Sequence, residues 1–122
     1  MTQEEIIEYN KRCAEFLGAT LKHNQGTANV THYILNGESY LEHMLQFHSD
    51  WDWIMEVVET IEKLGETHTR YGTLVDITTT HIQIGKIIID LKLNPMNKKE
   101  AVVQAINQFL IWYNENNNNR QS

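Results

Sequence analysis

The chain has 122 residues, enough for one domain that buries roughly two-thirds of the surface its unfolded form exposes. Its 41% hydrophobic and 21% charged content excludes wholesale disorder, and no apolar run approaches the roughly 20 residues needed to span a bilayer. A net charge of −6 with scattered lysines argues against long nucleic acid, since phosphate binding needs clustered Lys and Arg.

The first residues carry Glu4, Glu5 and Glu8 ahead of any basic side chain, unlike a signal peptide, so the cytoplasm is the expected compartment. Cys13 is alone, which removes any internal disulfide. Thr2-Gln3-Glu4-Glu5 forms a capping box, and Ile6, Tyr9, Cys13, Phe16 and Leu17 follow at helical spacing up to Gly18. This predicts a first helix over residues 3–17, with Cys13 as a small packing residue. Residues 19–28 carry no periodic signal.

Val30 to Leu35 is β-branched and aromatic, and Asn36-Gly37 is a type I′ hairpin signal leading into a second strand at Ser39 to Leu41. A second helix is expected from a Ser49 cap, with Asp52 at the third position and Gly65 as its stop. From Thr69 the period changes to two. Tyr71, Thr73, Val75 and Ile77, then Ile82 and Ile84, then Ile87, Ile89, Leu91 and Leu93 predict two or three antiparallel strands. Pro95 ends the sheet, and Asn97-Lys98-Lys99-Glu100 repeats the capping pattern for a third helix.

The order α-β-β-α-β-β-β-α predicts an α+β domain over residues 1–115, an antiparallel sheet packed with amphipathic helices. An Asn-rich tail over 116–122 is expected to be disordered. The last five elements share their order with a double-stranded-RNA-binding domain, but the basic helix start that domain needs is missing.

Chemistry is sparse, and no nucleophile elbow, Walker loop or dinucleotide fingerprint is present. The densest group is Phe47-His48-Ser49-Asp50-Trp51-Asp52-Trp53, at the entrance of the second helix. His48, Asp50, Trp51, Asp52 and Trp53 are the candidate ligand-binding residues. The plain alternative is a capped helix start with two aspartates at the positive end of the dipole. One imidazole beside two aspartates is too few for a zinc site, so neither metal nor cofactor is expected. Trp51 and Trp53 lie roughly 160° apart around a helix and must flank its apolar stripe on opposite sides.

The third helix has no charged residue between Glu100 and Glu115. With Val102 at the centre of its buried face, the outward side predicted from the spacing comprises Val103, Gln104, Asn107, Gln108, Ile111 and Asn114. Charge depletion around an apolar residue marks an interface, so a two-fold homo-oligomer through this face is expected.

Residues 47–59, together with residues 100–114 and the opening Cys13-Ala14-Glu15-Phe16-Leu17-Gly18, resemble small uncharacterised phage proteins of gut Bacteroidetes phages, the crAss-like group among them. More loosely, the pattern is similar to the phage α-β-α sandwich domain. The shared motifs are packing motifs and carry over no catalytic residue. The resemblance implies a non-catalytic phage accessory protein that binds or sequesters a host protein or a small signalling nucleotide, in host takeover or counter-defence. A structural or virion-associated protein, or a metal-dependent enzyme using the His48 region, are the alternatives.

Overall fold

An α-β-β-β unit occurs twice along the chain, and one further helix closes the domain. The computed structural model describes residues 1–24, 30–67, 75–93 and 95–120. In chain order the elements are α1 (Gln3–Phe16), β1 (Thr20–Asn24), β2 (Val30–Leu35), β3 (Glu38–Leu41), α2 (Trp51–Thr67), β4 (Val75–Ile77), β5 (His81–Ile84), β6 (Ile87–Asp90) and α3 (Lys98–Arg120). A 3-10 turn over Glu42–Met44 links β3 toward α2. The class is α+β, with two three-stranded antiparallel sheets, β1-β2-β3 and β4-β5-β6. No helix among the described residues is long and apolar enough to cross a membrane.

Local chemistry sets the ends of α1. The Glu5 backbone N–H donates to Thr2 Oγ1 and the Thr2 N–H donates to Glu5 Oε1, each at 3.1 Å, closing the capping box. At the other end Gly18 takes φ +87°, its N–H donates to the Glu15 carbonyl, and that of Ala19 donates to the Ala14 carbonyl. This is a Schellman closure, and it needs a residue at ease in the left-handed region. The hairpin between β2 and β3 follows the same logic, with Asn36 at φ +53° and Gly37 at φ +82° as a type I′ turn demands.

Several expectations are corrected. Residues 20–24 form β1, paired to β2 with Leu21 opposite Tyr33, where no strand is predicted from the sequence. The second helix passes through Gly65 to Thr67, because an internal glycine costs only about 1 kcal/mol and does not oblige a stop. β6 ends at Asp90, short of Leu93, as the Asp90 carboxylate accepts from the Lys92 N–H at 2.8 Å and turns the chain. Residues 69–74 of the predicted strand lie outside the described residues. α3 continues through the asparagines to Arg120 instead of ending at 115 in a disordered tail. Each added residue of a formed helix gains a hydrogen bond, and the Asn116 side-chain amide donates to the Trp112 carbonyl at 2.7 Å.

The core sits around α3, which packs on β5 and β6 and also against α1 and α2. Ile82, Ile84, Ile106 and Leu110 are fully buried. Each contributes roughly 1.5–3 kcal/mol through burial. In the second sheet Val75, Ile84 and Ile87 share a row, and so do Ile77, Ile82 and Ile89; these rows carry the buried isoleucines. The other face carries Asp76, Gln83 and Ile88 in one row and His81 with Asp90 in the next.

Candidate functional site

The entrance to α2 is built on a turn. The N–H groups of Ser49 and Asp50 both donate to the Gln46 carbonyl, at 3.2 and 3.0 Å. The cap is then Asp50, not Ser49: its Oδ1 accepts from the Asp52 N–H at 2.9 Å, and its carbonyl takes the first helical bond, from Ile54. Ser49 is spent on the turn, and its hydroxyl reaches only the Gln46 side chain, at 3.5 Å. Asp50→Ala is accordingly expected to cost about 0.5–2 kcal/mol in urea unfolding, and Ser49→Ala clearly less. Equal losses would return the cap to Ser49.

From this entrance the five candidate residues separate into distinct places. Asp52 and Trp53 line a cavity of about 260 Å3 with Leu35, Asn36, Tyr40 and Glu56. Trp53 is clamped edge-on between Tyr40 (5.1 Å between ring centroids) and Phe47 (4.9 Å), so its ring is held before any ligand arrives. Tyr40 is itself fixed by a 2.6 Å hydrogen bond from its hydroxyl to Glu38 Oε2, and that bond raises its phenol pKa.

A second cavity of about 240 Å3 shares Leu35, Asn36 and Glu56 with the first and adds Leu17, Glu59, Thr60 and Lys63. The two make one groove between α2 and the β2–β3 hairpin. Asp52, Glu56 and Glu59 stand along one side at i, i+4 and i+7, a single helical face. Lys63 closes the far end.

His48 goes elsewhere. It lines a cavity of about 300 Å3 between α1 and α3, with Met1, Ile6, Glu100, Val103 and Gln104. Its Nδ1 lies 3.1 Å from the Nδ2 of Asn10, a side chain only 4% exposed. The two groups meet at hydrogen-bond distance, with the donor set by the imidazole tautomer. Burial lowers the His48 pKa. Trp51 stands apart again, half-exposed, with Lys99 Nζ at 5.9 Å from its ring centre. The opposite placement of the two tryptophans follows the expected helical phase.

The α3 face is also divided. Val103 is 4% exposed and belongs to the core, a correction to its outward placement, because α3 is covered on more sides than a single stripe requires. The Asn107 side-chain oxygen accepts from Arg12 of α1 at 3.0 Å. Gln104, Asn107 and Gln108 border a shallow cavity with Met1, Thr2 and Glu5, while Ile111 and Asn114 are exposed.

Sequence reasoning missed Tyr40, Glu56 and Glu59 as members of the main groove. The carboxylate spacing is visible in the sequence, but only the hairpin's position turns it into a wall. It also missed a polar cluster at the β4–β5 turn, where Asp76 Oδ2 lies 3.0 Å from His81 Nε2 and the Thr78 hydroxyl lies 3.3 Å from His81 Nδ1. The Thr78 oxygen also accepts from the N–H groups of Thr80 and His81, so it is committed to the turn. Among the described residues no three His, Cys, Asp or Glu side chains are grouped to hold a metal ion. No protein-family model, curated protein or solved structure matches the chain.

Proposed function

We propose that the chain is a non-catalytic binding protein whose Trp53 groove holds a basic segment of a partner protein. The observation that carries this reading is the groove's make-up, an aromatic floor of Tyr40 and Trp53 walled by Asp52, Glu56 and Glu59. A Lys or Arg side chain entering it meets aromatic rings and carboxylates together, two kinds of group that attract a desolvating cation. The net charge of −6 adds longer-range steering toward such a partner. Nucleotide phosphates would meet the same carboxylates, which ranks a host protein above a signalling nucleotide as the occupant here. The resemblance to small phage proteins supplies the context: sequestration of a host protein in the host cytoplasm, in takeover or counter-defence.

A second reading, a small nucleotide as ligand, is favoured by a different pair of residues. Trp51 and Lys99 together offer a stacking plane and a cation.

Titration with a hexa-arginine peptide, followed by tryptophan fluorescence, tests the reading. A saturable change is expected that is lost in Trp53→Phe, retained in Trp51→Phe, weakened by salt and weakened about tenfold by Glu56→Lys. No saturable change with the peptide would overturn it. Saturable quenching by AMP that disappears in Trp51→Phe would move the site to the Lys99 side.

A further inference from the structure

The second sheet ends in an open edge at β6. Among the described residues no strand pairs with the outer side of β6, and Ile88, at its middle, is 62% exposed. The β5–β6 hairpin turns through two residues, Gly85 at φ +60° and Lys86, with Ile84 opposite Ile87. A two-residue hairpin makes the flanking pair the hydrogen-bonded one, and the pattern then alternates. Ile87 and Ile89 therefore bond to β5, while Ile88 and Asp90 direct their backbone N–H and C=O away from it. An open edge carrying an exposed isoleucine is a template for another strand.

We propose that this edge pairs with the β6 edge of a second copy of the chain, antiparallel, about a two-fold axis beside Ile88. In that register Ile88 faces the partner's Ile88, Ile87 faces the partner's Ile89, and Lys86 faces the partner's Asp90. The two copies exchange backbone bonds at Ile88, the buried rows continue across the axis, and two Lys–Asp pairs flank the centre. The neighbouring registers are worse. Pairings offset by one residue set a core-facing side chain against an outward one. Centring on Ile89 sets Lys86 against the partner's Lys92, and centring on Asp90 sets that carboxylate against its own copy. Centring on Ile87 leaves Ile88 opposite Lys86. The result is one six-stranded sheet across an isologous dimer, an assembly that does not use the α3 face.

Sedimentation velocity at tens of micromolar tests the proposal. Wild type is expected to be dimeric and Ile88→Lys monomeric, with circular dichroism unchanged because the side chain is exposed. Lys86→Asp and Asp90→Lys should each weaken the dimer about tenfold, and the double exchange should restore it. Ile88→Cys should form a disulfide-linked dimer under mild oxidation, since the only native cysteine, Cys13, is buried. Ile111→Glu should leave the dimer intact. A monomeric wild type, a dimer that survives Ile88→Lys, or a double exchange that stays as weak as the singles would each overturn the proposal.

Discussion

Phe47→Ala is expected to lower stability by about 3–5 kcal/mol in urea unfolding, a large share of what a domain of this size has. Phe47 is fully buried and packs edge-on against Trp53. Truncation removes the ring's burial and leaves a hole that the helix entrance closes poorly, because Asp50 and the Gln46 turn pin the backbone on either side. Trp53 also loses one of its two clamps, so its fluorescence should shift toward that of a solvated indole before the protein unfolds. A loss below about 1 kcal/mol, with unshifted emission, would mean that the entrance collapses onto the gap.

A second large effect is expected at alkaline pH. Burial pushes the Cys13 thiol from 9.0 up to about 12, and the neighbouring Tyr9 phenol is likewise raised well above 10.0 by burial. The folded chain thus keeps a proton that the unfolded chain releases near pH 9. Below that pH the contribution is fully present. Above it, unfolding releases the proton, and stability falls by about 1.4 kcal/mol per pH unit as the folded pKa is approached. Tyr9 adds a similar slope from about pH 10. Melting temperatures compared between about pH 8 and 10 should drop steeply for wild type and less for Cys13→Ala, which has no thiol to ionise. Parallel curves would remove Cys13 from the account.

How much of this was legible in the sequence depends on where burial leaves a mark. The hairpin at Asn36-Gly37 and the caps at Thr2 and Asn97 are written in local chemistry: the Thr2–Glu5 box closes in full, and the Asn97 side chain accepts from the Glu100 N–H at 2.8 Å, whereas at α2 the cap moves to Asp50. β1 left no mark because Leu21 is 45% exposed and Lys22 is exposed, so no alternation separates an inside from an outside. Ser49 and Asp50 are both good caps, and only the Gln46 carbonyl, which takes the N–H groups of both, decides between them. A single apolar stripe centred on Val102 puts Val103 outward, whereas α3 is packed on several sides and buries it. The candidate site was half legible. Trp53 and Asp52 stand in the groove with Glu56 and Glu59 of the same helix, but Tyr40 and the opposite wall come with a hairpin whose docking no local pattern encodes.

The central position of α3 has a consequence for how the molecule opens. α3 ties β5, β6, α1 and α2 into one unit, while the first sheet joins that unit through the Tyr33, Leu35 and Tyr40 side chains and the Glu42–Met44 turn, where Lys11 Nζ of α1 lies 3.2 Å from Glu42 Oε1. Amide protons of β1 and β2 should therefore exchange through a local opening, well before those of α3 and β5, which exchange only on global unfolding. The Trp53 groove spans the boundary between these two layers. Any segment seated in it couples a loosely held sheet to the rigid helix, so occupancy would be written as slowed exchange along β2 and β3, strands that a groove ligand touches only at their hairpin end.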